Sequence, residues 1–291
     1  MRLRLEILMA ILGIMLFSCS APEVTSDTIS AKKEGHNKYT SDDSKATKSS
    51  AEEEKMLDSM RLQGVLNQAL QRVKSRSLTV SFSESFQSFP DRLYTVDSKI
   101  DYGFHFSDKQ RHLIIRRYSP GLVQIDIFSV NDTVLDHILS HEQWATEYLN
   151  DTIRDVNGDG LKDLIVNCYG STGCCLKAFS CVYLSRSDRQ SFSTMYDFLN
   201  PTFSDHDGVI RGLCYGHRGK TELYTFKWMG EKIDTIEYIS FEKDNNGRRT
   251  GKVIISNQYP THKNYKIIRK VNRVPKVYER IEGYDWFYEE K

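Results

Sequence analysis

The sequence predicts a mostly β protein: an atypical propeller-like or sandwich array of short antiparallel strands with one N-terminal amphipathic helix. Three observations predict it. Beyond Ser77 the apolar residues come in short alternating or continuous runs broken by turn residues, which is a strand signature. Asn131-Asp132, Asp207-Gly208 and Asn245-Asn246-Gly247 fall between such runs, as hairpin turns do. Helical and strand patterns do not alternate, which argues against a doubly wound parallel sheet. With 291 residues, 39% of them hydrophobic, the chain can build a sizeable core. Its 40 Lys and Arg against 39 Asp and Glu leave a net charge of +1, which argues against a dedicated nucleic-acid surface.

The first element is an address. Met1-Arg-Leu-Arg-Leu-Glu6 is a short basic start, and Ile7 to Phe17 is an apolar run. A ~30 Å hydrocarbon core takes about 20 residues to cross, so this run suits a signal-peptide core instead. It ends in Leu16-Phe17-Ser18-Cys19, which resembles the lipobox of bacterial lipoproteins. The resemblance implies a signal peptide over 1–18 and lipidation of Cys19. It also implies membrane attachment through that anchor in the bacterial cell envelope, facing the periplasm. An ordinary secretory signal, or a buried start with an incidental cysteine, is the alternative. One acyl chain holds a membrane only marginally, so the several chains of a lipoprotein cysteine are what make such an anchor durable.

Residues 19–51 are rich in Ser, Thr, Lys, Asp and Glu and show no periodicity, which reads as a flexible tether. A single mostly β domain is expected over 52–291. It opens with a helix over 52–75: Ser50-Ala-Glu-Glu53 has capping-box spacing, and Leu62, Val65, Leu66, Ala69, Leu70 and Val73 form one apolar stripe. Strands are expected at Leu78–Phe82, His112–Tyr118, Leu122–Val130, Leu164–Tyr169, Phe179–Leu184, Leu223–Trp228, Thr235–Phe241, Lys252–Ser256 and Tyr265–Val271. A further short helix is expected over His137 to Leu149.

The strongest internal signal is Asp155-Val-Asn157-Gly-Asp159-Gly160-Leu161-Lys-Asp163. Oxygen ligands at alternate positions can curl round one hard cation, and the glycine at position 6 permits the sharp turn. The EF-hand form fails, because its twelfth position is Val166 rather than Glu. A polar hairpin turn without metal is the plain alternative. The loop and the strand after it resemble the FG-GAP and VCBS repeats of integrin-like propellers. That resemblance implies Ca2+ held by Asp155, Asn157, Asp159 and Asp163, with Leu161 contributing its carbonyl. The order of features over about 150–240 is similar to a family of exported, propeller-like bacterial proteins. Some members of that family are lysozyme inhibitors or immunity proteins against peptidoglycan-cleaving toxins.

Five cysteines follow Cys19: Cys168, Cys174, Cys175, Cys181 and Cys214. In an oxidising compartment these are disulfide candidates, with free thiols and a metal site as alternatives. Catalytic motifs fail one by one. Gly216-His-Arg-Gly219-Lys220-Thr221 has Cys214 where a phosphate loop needs its first glycine, and His141-Glu142 lacks the second histidine of a zinc protease. No enzyme is therefore expected. The expected role is a binding or inhibitory module whose partner is a peptidoglycan-cleaving enzyme; a carbohydrate-active hydrolase and a structural envelope lipoprotein are the alternatives. Gly170–Gly173 and Tyr215–Lys220 are the candidate contact segments, with the acidic loop expected to support them. The basic stretch from Lys263 to Arg280 reads either as solvated strand faces or as contact with an acidic partner.

Overall fold

The computed structural model describes residues 43–170, 175–204 and 206–288. The signal segment, Cys19, the start of the tether and Cys174 lie outside the described residues. The helix α1 runs Asp43–Lys74, so it begins well before residue 52 and takes in the end of the expected tether. The chain from Asp43 to Leu62 contains neither Gly nor Pro, so nothing in it stops a helix from extending.

Every strand then pairs antiparallel with its neighbour in sequence, giving three successive meanders. The first sheet holds β1 Phe82–Ser88, β2 Val96–Gly103, β3 His112–Tyr118, β4 Leu122–Asn131 and β5 Val134–Trp144. The second holds β6 Tyr148–Arg154, β7 Asp163–Tyr169, β8 Ala178–Tyr183 and β9 Tyr196–Leu199. The third holds β10 Pro201–Ser204, β11 Val209–Leu213, β12 Leu223–Met229, β13 Lys232–Lys243, β14 Arg249–Ser256 and β15 Ile267–Val271. A 3-10 turn, Lys276–Arg280, and the short helix α2, Tyr284–Tyr288, close the described chain. No sheet closes on itself among the described residues.

Two expectations are corrected here. The helix expected over His137–Leu149 is the strand β5 and the start of β6. Its spacing of Ile138, Leu139 and Ala145 imitates a helix, but the neighbouring β4 offers a long ladder of backbone partners and wins. The strand expected at Leu78–Phe82 lies later, at Phe82–Ser88, because Leu78 belongs to the turn after α1.

The layers stack in chain order. Leu66, Ala69 and Val73 of α1 pack on Leu113, Ile115 and Phe128 of the first sheet. The other face of that sheet, Ile114, Ile125 and Ile127, meets Leu164, Val166 and Tyr183 of the second. The second sheet turns Ile165, Val182 and Phe198 toward Ile210, Tyr224 and Trp228 of the third. The outer face of the third is covered by Val274, Tyr278, Ile281 and Phe287. The inner strands are covered on both faces, so β3, β4 and β7 are buried at nearly every position, their few polar side chains included.

Adjacent arginines tie three of these layers together, because neighbouring strand residues point to opposite faces. Arg117 faces α1, donating to the Leu62 carbonyl and pairing with the buried Asp126. Arg116 faces the second sheet and holds Asp151 of β6 through Nε, at 2.8 Å, and Nη2. Its Nη1 reaches Asp101 of β2 at 2.7 Å.

Candidate functional site

The acidic loop joins β6 to β7, and its side-chain oxygens fold it. Asp155 accepts backbone N–H groups from Asn157 at 3.2 Å, Gly158 at 2.7 Å and Gly160 at 2.8 Å. Asn157 Oδ1 accepts the Asp159 N–H at 3.1 Å, and Asp159 Oδ1 accepts that of Leu161 at 2.8 Å. Gly158 and Gly160 take φ of 80° and 85°, a left-handed backbone that glycine adopts at little cost. Asp163, fully buried, accepts the N–H groups of Val156 and Ser185, each at 2.9 Å. Burial pushes its carboxyl up to about 7, and the charges of Asp159 and Asp155 add to the rise.

The five expected ligand residues are thus on one loop, and the donor set is all oxygen, as a hard cation requires. The charges of Asp159 and Asp155 crowd Asp163, and a positive charge among the three would relieve that repulsion. Asp155 and Asp159 nevertheless spend oxygens on the loop's own N–H groups. No group of three or more His, Cys, Asp or Glu is arranged to hold a metal among the described residues.

What sequence reading missed is the loop's position. Val156 is buried in the core between the second and third sheets. The Lys162 N–H donates to the Phe106 carbonyl, in the β2–β3 connection of the first sheet, at 3.2 Å. Gly208, in the β10–β11 turn of the third sheet, sits so close that a Cβ there would come within 2.7 Å of the Asn157 carbonyl oxygen. One loop therefore touches all three sheets. The Asp207-Gly208 turn signal located this hairpin, but nothing local in the sequence places it beside Asn157.

Of the two candidate contact segments, Tyr215–Lys220 is described, whereas 171–173 of the other lie outside the described residues. Cys175 Sγ lies 3.9 Å from His217 Nδ1, and Lys177 Nζ lies 5.9 Å from the centre of the Tyr215 ring. Cys175 and Lys177 thus meet the loop 214–221 near the end of β7 far from Asp163, about 23 Å away at ~3.3 Å per residue. The loop 214–221 is supported by the C-terminal segment. Trp286 donates its indole N–H to the Gly216 carbonyl at 2.9 Å and accepts the Gly219 N–H at 2.8 Å. Arg249 donates to the Gly219 carbonyl at 2.7 Å. Tyr215 is 53% exposed on this braced loop.

Cys168, Cys175 and Cys181 are buried and Cys214 is half-buried, while Cys174 lies outside the described residues. Cys168 stands opposite Phe179 across the β7–β8 ladder and Cys181 opposite Val166, so the register presents no direct pair. Burial, with Glu222 nearby, raises the Cys214 thiol. The basic stretch makes surface ion pairs, Lys270 with Glu242 at 2.6 Å and Arg269 with Glu237 at 4.0 Å, in keeping with solvated strand faces. Asp101 and Asp151 meet across Arg116, but Arg116 overcomes burial and holds the Asp151 carboxyl below the usual range, so Asp151 is a poor proton donor. No family model matches the chain, and neither a curated protein nor a solved structure matches it.

Proposed function

We propose that the protein is a lipid-anchored binding module of the bacterial cell envelope, braced by one Ca2+ in the loop from Asp155 to Asp163. The three meanders are taken as blades of an open propeller-like array, capped at one end by α1 and at the other by the C-terminal segment. The observation that carries the proposal is the placement of an acidic, all-oxygen loop where all three sheets meet. Asp155, Asn157, Asp159, Asp163 and the Leu161 carbonyl would hold the ion. Their charge would then be compensated where the sheets join, which would stiffen the stack and lower the ordering cost of binding elsewhere on it. The partner face is the braced loop around Tyr215 and His217, where an exposed aromatic sits on a fixed backbone, a common arrangement at binding hot spots. A peptidoglycan-cleaving enzyme is the partner class, supported by the resemblance of the acidic-loop region and by the lipobox-like start.

The cation is tested by melting the protein with calcium and with chelator. Calcium bound only to the folded state adds RT ln(1 + [L]/Kd), about 2.7 kcal/mol at a hundredfold excess over Kd. Asp159→Ala should remove most of that gain, since Asp159 is exposed and holds only the loop. Identical melting curves in calcium and in chelator would leave a metal-free turn. The binding role is tested by titrating the protein against a panel of lysozyme-type enzymes and following cell-wall hydrolysis. Inhibition lost in Tyr215→Ala is expected; no inhibition across the panel would remove the inhibitory role. The anchor is tested by fatty-acid labelling of Cys19→Ala, in which the label should disappear.

A further inference from the structure

A cleft of about 730 Å³ opens where the end of α1 meets the β2–β3 connection and the β4–β5 turn. That volume is in the range of small-molecule sites, on the order of 300–1,000 Å³. Lys74, Arg76, Lys109 and Arg111 line it against a single carboxylate, Asp132. Arg76 is matched by Glu84 at 2.6 Å. Lys74, Lys109 and Arg111 have no ion pair among the described residues. The cleft therefore carries an unbalanced positive charge on a molecule whose net charge is only +1.

The charge is also fixed in place. Arg111 donates Nη1 to the Leu78 carbonyl at 3.2 Å, its guanidinium carbon lies 4.8 Å from the centre of the Phe104 ring, and its Nε is buried without a hydrogen-bond partner. Phe104 is 46% exposed at the cleft, with the held cation over one side of its ring. Such a ring offers a flat face for another ring. The hydroxyls of Thr79 and Thr133 and the carboxylate of Asp132 complete the wall with groups that can donate to and accept from hydroxyls.

We propose that this cleft binds an acidic sugar: a pyranose ring bearing one carboxylate or phosphate. The anion lies toward Lys109 and Arg111, the ring stacks on Phe104, and the sugar hydroxyls meet Asp132 and the threonines. Asp132 disfavours densely charged ligands such as nucleoside triphosphates, while one acceptor among donors suits a hydroxylated ring with a single negative group. The inference is independent of the acidic loop and of the braced loop, since neither contributes to this cleft.

The test is a titration of the full chain followed by protein-observed NMR with four probes. Glucuronic acid and glucose 6-phosphate carry ring and anion together; glucose carries the ring alone and inorganic phosphate the anion alone. At least one acidic sugar should bind about tenfold tighter than glucose and than phosphate, the ratio that one charge-assisted contact gives. Lys109→Gln, at an exposed position that leaves the fold alone, should weaken that binding by a similar factor. Phe104→Ala should weaken both acidic sugars and leave phosphate unchanged. The proposal is overturned by any of three results: glucose or phosphate binding as tightly as the acidic sugars, no response to either acidic sugar up to about 10 mM, or unchanged affinity in Lys109→Gln.

Discussion

At the scale of single residues, two adjacent arginines do different structural work because a strand alternates its faces. Arg117 points to α1, where Asp126 accepts from it and also from His137 Nε2 at 2.9 Å. Burial by itself would raise the Asp126 carboxyl, but His137 and Arg117 together hold it below the usual range. Removing only Arg117 leaves a buried charge short of its partner, so Arg117→Met should cost about 3–5 kcal/mol in urea denaturation. The double variant Arg117→Met, Asp126→Leu should recover a large part of that loss, since no buried charge is then left unpaired. His141 gives a second prediction at this scale. It is buried against Tyr183, whose hydroxyl lies 2.8 Å from Nδ1, and burial lowers its pKa to about 4. The unfolded chain takes up a proton near pH 6.5 that the folded chain refuses until about pH 4. Its contribution is therefore complete above pH 6.5 and is lost as the pH falls to 4, by on the order of 3 kcal/mol. His141→Gln should lose less stability than wild type across that window; parallel curves would show that the imidazole charges without cost.

At the scale of elements, α1 separates burial from propensity within one turn. Leu62 is fully buried against Val96 and Leu122, whereas a Cβ added at Gly64 would meet nothing within 4 Å. Leu62→Ala should destabilise by about 2–5 kcal/mol through the cavity it leaves. Gly64→Ala should stabilise by up to about 1 kcal/mol, because it removes backbone freedom from the unfolded chain and fills no space. Thermal melts of the two variants should move in opposite directions. The strands buried on both faces were the legible ones: β3, β4, β7, β8 and β12 are dense in Ile, Val, Leu and aromatic residues and need no partner to be recognised. β2, β6 and β9 to β11 were not foreseen, since Val-Asp-Ser-Lys-Ile-Asp-Tyr-Gly and its like carry polar residues that only an ion pair or a neighbouring sheet makes acceptable. The ligand-type residues of the acidic loop were legible because they are local. Its contacts with Phe106 and Gly208 were not, for those depend on how distant hairpins stack.

At the scale of the whole molecule, each core is shared by two layers, so no sheet has a hydrophobic interior of its own. Loss of one layer exposes the inner face of the next, which predicts unfolding as one unit rather than sheet by sheet. The three tryptophans are placed to check this: Trp144 in the first sheet, Trp228 in the third and Trp286 in α2. Variants retaining one tryptophan each should give fluorescence midpoints in urea that coincide with one another and with far-UV circular dichroism. Separate midpoints would mean that the layers melt independently.

Strand order bears on speed as well as stability. Because β1 through β15 pair only with sequence neighbours within each sheet, the ladders close over short stretches of chain, and the contact order from strand pairing is low for a β protein. Hairpins can zip up one after another on local information. The entropically expensive steps are the few that join distant segments: Arg116 reaching Asp151, Val156 entering the next core, and Trp286 returning to Gly216. A folding rate set by docking preformed hairpins, rather than by the search for strand partners, is the kinetic counterpart of the meander.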